Sequence, residues 1–504
     1  LHNKKSYKIG TRGSLLALTQ CNQVKDQLEK LTGDNFELEI IKTQGDLITN
    51  APLWQLDGKD FFTKELDEAL ISGKVDLVVH SYKDLGSERP NPIMLAAVTK
   101  RTYAHDILLI KNSTIGKLQN KKEFIVGTSS PRRMVNLEKN LKDYIPGSND
   151  LIVSTKVLRG NVNTRISKLV NDEFDAIVIA LPGIERLALT ESSKKELENL
   201  LNGMNFLILP QSIFPSSASQ GALGIECLKE RTDNGELLSK LKLMEDENTK
   251  EEVKRERKAF NEYGGGCHLA VGINVKKVGP YFLHTHAGKL ESREIKLSFL
   301  EGRDNFNSKR KFKVFVGMPH LDDKLISKKI VNKEISQSQN YFVSCKYAIE
   351  SLKPQVEYSS LWASGTKTMR ELCKRGYWVN GSSDSLGMNE ATHLKNSRAI
   401  SLMLKSKESL INLTSYDAAD SFKTYERVVH ELTEEERDRY LSYDLFYWSS
   451  YPQFQIYIEQ IPEIKNKLHA CGLGKTWEEF KNNNIDVIPF AGISELKNEL
   501  ELQF

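Results

Sequence analysis

Four short runs carry residue types that could do chemistry at the ends of strands. DLVVHSYKD, Asp76 to Asp84, joins an apolar Leu77-Val78-Val79 run to His80, Ser81, Lys83 and Asp84. A carboxylate beside a lysine in a cleft can stabilise a developing cation or move protons, although the same pair also occurs as a solvated loop ion pair. FIVGTSSPRR, Phe124 to Arg133, passes from a strand through Gly127 into Thr128, Ser129 and Ser130, then Pro131 at a first helical position. Hydroxyls and free N–H groups at a helix start bind anions, and Arg132 and Arg133 add bidentate donors. The plainer alternative is an N-capped helix with two exposed arginines. VLRGNVNTRISKL contributes Arg159 and Arg165, and KIGTRGS contributes Arg12 and Ser14. Arginines recurring at separate strand-end loops suit a ligand bearing several carboxylates or phosphates. In EYGGGCHLAVG, Gly264 to Gly266 precede Cys267 and His268, a thiol mounted on backbone that lets something bulky approach.

These residues need a scaffold of alternating strands and helices. KIGTRGS, LEIIKTQGD, DLVVHSYKD, FIVGTSS and FDAIVIALPG each close a β-rich stretch, and helical patterns such as FTKELDEALISG, stopped at Gly73, lie between them. This predicts α/β lobes with ligands held beyond the carboxyl ends of the strands. A charged, Gly- and Asn-broken stretch before KVFVG places a boundary at about 305 to 311. Beyond it the chain repeats itself: VSCKYAIESL and ASGTKTMRELCKRGYWV are echoed by WSSYPQFQIYI and ACGLGKTWEEFKNNNIDVI. Thr368 to Leu372 aligns without gaps to Thr476 to Phe480, and Gly376 corresponds to Asn484, the other residue that tolerates a left-handed helix stop. Two similar α/β lobes are the simplest reading.

Composition narrows the class. The 504 residues exceed one ordinary core and imply several domains. With 71 basic against 67 acidic residues the net charge is only +4, which argues for neither nucleic acid nor a membrane surface. LHNKKSYKIG lacks the apolar core of a secretion signal and no apolar run approaches a transmembrane span, so a cytoplasmic protein is expected. The six cysteines form no CxxC pair and the histidines no HExxH, so neither disulfides nor a metal is expected. Gly474-Lys475-Thr476 ends like a phosphate loop, but His469 stands where that motif needs glycine.

Taken together and in order, KIGTRGS, VVHSYKD, VGTSSPRR, LRGNVNTRISKL, SQGALGIE and ERKAFNEYGGGCHLAVG resemble the porphobilinogen deaminase (hydroxymethylbilane synthase) family over about residues 6 to 300. The resemblance implies a two-lobed α/β fold of the periplasmic-binding-protein type, residues 1–103 with 206–227 and 104–205, plus a small α+β domain, 228–305. It implies a dipyrromethane cofactor joined by a thioether to Cys267, porphobilinogen as small-molecule substrate, and no obligate protein partner. It assigns Asp84 as the catalytic carboxylate. Ser81, Lys83, Thr128, Ser129, Ser130, Arg132 and Arg133 would hold the cofactor, and Arg12, Ser14, Arg159, Arg165 and Arg186 the substrate. The segment 311–504 resembles uroporphyrinogen-III synthase through Ser344, Gly365, Thr368, Ser449 and Thr476, which implies a two-lobed α/β synthase-like region with Ser344, Thr368, Ser449 and Thr476 in its cleft. Fusion of the two would place consecutive steps of tetrapyrrole synthesis on one chain. The rival reading is a noncatalytic two-lobed anion-binding protein, for which Cys267 would have no purpose.

Overall fold

A computed structural model describes residues 4–43, 63–86, 88–266, 268–304, 311–317, 323–331, 335, 339–353 and 357–500. Two five-stranded sheets of the same design occupy the first part. In the first, the strand order is Asn35–Ile40, Ser6–Thr11, Leu77–Ser81, Leu223–Leu228, Ile93–Val98, with only Leu223–Leu228 reversed against its neighbours. In the second it is Ile152–Lys156, Glu123–Gly127, Ala176–Ala180, Asp106–Lys111, Met204–Ile208, and Asp106–Lys111 is the reversed strand. Central strands such as Leu77–Ser81 are apolar on both faces because helices cover both, as in most parallel sheets. Helix Lys64–Ile71 stops before Gly73, whose φ of +72° is the left-handed conformation expected of a terminating glycine.

The chain crosses between lobes twice, after Val98 and after Ile208. The return therefore falls later than the expected 205/206 boundary, because Met204–Ile208 completes the second sheet. The third unit also starts later than residue 228. Leu237, Leu241 and Met244 pack with Tyr7, Ile9 and Leu28 in the core of the first lobe. The third unit proper is the helix Glu247–Glu262, capped by Asp246 through Thr249 N at 2.8 Å, against the antiparallel strands Ala270–Val278, Tyr281–Leu290 and Arg293–Glu301.

Two further α/β lobes follow. One holds Gly381–Ser382, Ser360–Ala363, Asn340–Val343, Leu410–Thr414 and Ser421–Lys423; the other holds Val314–Phe315, Leu445–Trp448, Leu468–Gly472 and Ile488–Phe490, and all these strands are parallel. The first is inserted into the second, and an antiparallel ribbon, Ile326–Ile330 with Tyr425–Val429, connects them. Helices Thr366–Lys374 and Lys475–Asn482 occupy equivalent places, and their stops match: Gly376 has φ +87° and Asn484 φ +53°.

The inserted lobe seals the edge of the second sheet. Ile208 N donates to Asn380 O at 2.8 Å, Asn380 Nδ2 to Phe206 O at 3.0 Å, and Trp378 Nε1 to the same carbonyl at 3.0 Å. Apolar cores run across the junction, with Phe206 and Ile208 beside Trp362 and Leu394, and Tyr144 and Phe214 beside Met369 and Tyr377. The other lobe rests on the third unit, where Trp477 meets Tyr281 edge-on at 5.8 Å and Leu300 N donates to Glu495 Oε1 at 2.9 Å. No helix among the described residues is long and apolar enough to cross a membrane.

Candidate active site

Strand Leu77–Ser81 hands its chain into a tight turn, Tyr82–Asp84, at the sheet's carboxyl end. Asp84 is exposed there. Its charge acts on two cations, Lys83 and Arg186. Lys83 is half-buried with its ammonium 3.4 Å from Gln220 Oε1, and burial pushes its pKa down while Asp84 opposes that. Arg186 donates to Gly221 O at 2.6 Å and is lowered to about 10, chiefly by burial. Ser81 Oγ accepts from Gln20 at 2.9 Å, and Ser14 caps helix Leu15–Thr32 by accepting from Ala17 N at 3.3 Å. Arg12 stands on the neighbouring strand-end loop, close enough for its charge to act on His80.

Across the cleft, Pro131 begins helix Pro131–Asn140 as expected. Arg132 and Arg133 are not the exposed pair of the plainer reading. They are 3% and 8% exposed and converge on the fully buried Asp106. Arg132 Nη2 lies 2.8 Å from Asp106 Oδ2, while Arg133 makes a two-pronged contact at 2.7 and 3.0 Å. Burial raises the Asp106 pKa, but the two guanidiniums overcome this and hold it far below the usual carboxylate range. Thr128 is buried with Oγ1 accepting from Ser130 N at 3.3 Å, and Ser129 Oγ donates to Leu158 O at 2.5 Å. Ser130 precedes the helix without a side-chain cap bond. Arg165 donates to Gly160 O at 2.8 Å, and its pKa falls to about 10 through burial and the repulsion of Arg133 and Arg159.

These side chains are linked in series: Lys83 feels Asp84, Asp106, Arg132 and Arg133, Arg165 feels Arg133 and Arg159, and Arg186 feels Asp84. Lys83, Arg132, Arg133, Arg165 and Arg186 outnumber the carboxylates of Asp84 and Asp106, a balance that favours an anionic ligand. Two organising residues escaped the sequence reading. Asp106 opens the apolar strand DILLIK, where a charged residue needs a buried partner, and that was the available signal. Gln220 lies inside SQGALGIE; it is fully buried and donates to Ala104 O at 2.7 Å and Asp106 Oδ1 at 2.9 Å while facing Lys83.

Cys267 lies outside the described residues. The glycines leading to it have φ of +93°, +60° and +87°, a run of left-handed conformations that side chains rarely tolerate. Just beyond, the third unit closes on the second lobe: Ile273 N donates to Ser216 O at 2.8 Å, and Asn136 Nδ2 to Ala287 O at 3.1 Å. Gly272 sits where a Cβ would meet Pro215 O at 2.1 Å and Arg132 Cδ at 3.0 Å, and that same carbonyl accepts from Arg132 Nη1 at 2.8 Å. Gly272→Ala is expected to lose at least ~2 kcal/mol of stability, read by urea denaturation, because backbone must shift. A variant as stable as the parent would show that this approach is not tight.

Of the synthase-like set, Ser344 follows strand Asn340–Val343 and its carbonyl accepts from Ser364 Oγ at 2.7 Å. Thr368 is buried 3.4 Å from Ser364 Oγ, Ser449 Oγ donates to Gln453 Oε1 at 2.8 Å, and Thr476 stands in the first turn of Lys475–Asn482. Thr368 and Ser449 are therefore each tied within their own lobe. A buried cluster of Asp67, His80 and Glu226 has ligand-like proximity, but Arg89 bridges its two carboxylates at 2.5 and 2.8 Å and already occupies them.

Fold and site together define a two-lobed α/β protein with a cation-rich cleft and a third unit that presents a glycine-turned loop. Residues 7–236 match the family model described as porphobilinogen deaminase, dipyromethane cofactor binding domain. The porphobilinogen deaminase of a Nitratiruptor species is 39% identical over 266 residues, 53% of this chain and 77% of that protein. That of Streptococcus sanguinis is 35% identical over 302 residues, 60% and 92% respectively. The chain belongs to the porphobilinogen deaminase family. Among solved structures, PhnD1 from Prochlorococcus marinus in complex with methylphosphonate aligns at 12% identity over 52% of this chain and 91% of that one, with a TM-score of 0.28, too loose a likeness to inform function.

Proposed function

We propose that the N-terminal lobes join four porphobilinogen molecules head to tail into hydroxymethylbilane, releasing ammonia at each step, and that the C-terminal lobes close this product to uroporphyrinogen III. The observation that carries the first activity is the exposed carboxylate of Asp84 set among Lys83, Arg186 and the Arg132–Arg133–Asp106 cluster. The cations hold acetate and propionate groups, and Asp84 faces the cation that forms when ammonia leaves. The dipyrromethane group, anchored at Cys267, supplies the pyrrole end on which the chain grows. The cleft's cation excess suits its carboxylates, and the three left-handed glycines give the chain leading to the anchor a path that side chains rarely tolerate. Ser14, Ser81 and Ser130 stand at the same strand ends and add neutral polar groups for those carboxylates, whereas Thr128 is buried and Ser129 commits its hydroxyl hydrogen to Leu158 O.

Cys267→Ser is expected to give folded protein whose intact mass lacks the cofactor, since a hydroxyl is a far weaker nucleophile than a thiolate. The same adduct on another residue would move the anchor. Unmodified polypeptide in the parent chain from a cofactor-competent host would favour the noncatalytic anion binder instead.

The second activity is supported by two nested α/β lobes whose strand-end loops approach one another. Lys475 Nζ lies 5.9 Å from the Tyr416 ring, and a Cβ at Gly474 would meet Ser385 O at 2.3 Å. Incubation of the full chain with porphobilinogen, followed by isomer analysis of the oxidised porphyrin, tests it: mainly isomer III is expected. Isomer I alone would make the C-terminal half a structural appendage. The full chain is the right object, because a cut near residue 305 would strip the apolar junction at Phe206, Ile208 and Phe214.

A further inference from the structure

Where the ribbon meets the inserted lobe, three cations gather around two tyrosines. Lys328 Nζ lies 4.9 Å from the centre of the Tyr347 ring and 5.3 Å from that of Tyr425. Lys346 Nζ is 5.2 Å from the centre of the same Tyr347 ring, and the Arg427 guanidinium is 6.0 Å from that of Tyr425. The rings themselves are 6.2 Å apart. Burial pushes the Lys328 pKa down; Cys345 pulls against it, Arg427 adds repulsion, and smaller effects of Asp323 and Lys346 oppose each other. Asp323 spends its oxygens on Tyr457 at 2.7 Å and Gln453 at 3.0 Å. Arg427 Nη1 donates to Ser415 Oγ at 2.5 Å, a neutral acceptor. Among the described residues no carboxylate lies within ion-pair distance of Lys328, Lys346 or Arg427; Glu426, beside Arg427, turns instead to Lys329 at 3.9 Å and Lys423 at 3.2 Å.

Lys346 is exposed, but Lys328 and Arg427 are partly withdrawn from water, and converging cations without a carboxylate at ion-pair distance are costly there unless an anion joins them. Two tyrosine faces attract the cations but leave their charge in place. We propose that Lys328, Lys346 and Arg427 form the carboxylate-binding site of the C-terminal cleft and hold acetate and propionate groups of a linear tetrapyrrole. Lys346 follows directly after Ser344 and Cys345, so the site opens at the carboxyl end of strand Asn340–Val343, where α/β lobes bind ligands. Lys475 reaches Tyr416 from the opposite lobe, but it pairs with Glu479 at 3.9 Å, a carboxylate whose charge also acts on Arg427, so it adds no excess charge to the site. The identity of the ligand rests on the cyclisation reading, whereas the anion site rests on the charge balance alone.

The test is fluorescence titration of the full chain with uroporphyrin III, which carries the same acetate and propionate groups. The deaminase cleft is common to every variant and cancels. Lys328→Gln/Arg427→Gln should weaken binding about tenfold, and Lys328→Arg should keep it within about twofold, since charge-assisted contacts are worth that much. Lys346→Gln, at an exposed position that cannot disturb a core, should weaken it several-fold and make it less sensitive to salt. Equal affinity in parent, Lys346→Gln and the double variant would overturn the site. Displacement of the porphyrin by inorganic phosphate at equal concentration would overturn the carboxylate assignment. A parent chain that binds through these cations yet yields only isomer I would overturn the cyclisation reading and leave the site standing.

Discussion

Asp84→Ala is expected to reduce turnover of porphobilinogen more than about a hundredfold, while the protein remains folded and retains its cofactor mass. The reason lies in what surrounds the carboxylate. Lys83, Arg186 and the nearby guanidiniums make the cleft attractive to carboxylates and hostile to the cation formed when ammonia departs. Asp106 cannot substitute, because both its oxygens are bound to Arg132 and Arg133. Removing the exposed carboxylate therefore leaves the transition state facing positive charge alone. Asp84→Asn should fail almost as badly, since the shape survives but the charge does not. Residual activity of Asp84→Ala within about tenfold of the parent, ~1.4 kcal/mol of barrier, would remove Asp84 from this role.

Asp106→Asn is expected to destabilise the protein by about 3–5 kcal/mol, because it leaves two buried guanidiniums without their counter-ion. Arg132 and Arg133 have few other acceptors: Pro215 O at 2.8 Å and Val178 O at 3.2 Å. Asp106 also supplies the parent's acid sensitivity. Its folded pKa is depressed, so its contribution is fully present above the unfolded value near ~3.9 and is lost as pH falls below that toward the folded value. Urea denaturation at descending pH should show parental stability dropping below about pH 4, with a shallower slope in Asp106→Asn. A parent and variant of equal stability at neutral pH would mean the cluster is solvated after all.

The elements of the first lobes could be read from their apolar runs and their stop residues, as at Gly73, and so could the internal repeat, down to the left-handed Gly376 and Asn484. Such signals are local: a period, a cap, a conformation that few residues adopt. The unit boundaries could not be read as closely. Leu237 and Leu241 look like any amphipathic helix, and only the packed core reveals that they belong with Tyr7 and Ile9. In the cleft, the strand-end arginines were visible because several loops repeated the same chemistry. Asp106 and Gln220 were not, because their roles depend on partners more than twenty residues away in sequence. The basic cluster at Lys328 was hidden for the same reason: its members sit on the ribbon and on the inserted lobe, and no run of sequence contains them together.

The edge contact between Ile208 and Asn380 sets an order of events during synthesis. Strand Met204–Ile208 leaves the ribosome about 170 residues before the segment that will cover it, which at typical elongation rates is a wait of roughly ten to thirty seconds. Through that interval the second lobe displays an open strand edge beside Phe206 and Phe214, the surface on which nascent chains pair wrongly with one another. Slow translation of the later segment, or scarcity of holding chaperones, should therefore reduce the yield of the early lobes as much as that of the late ones.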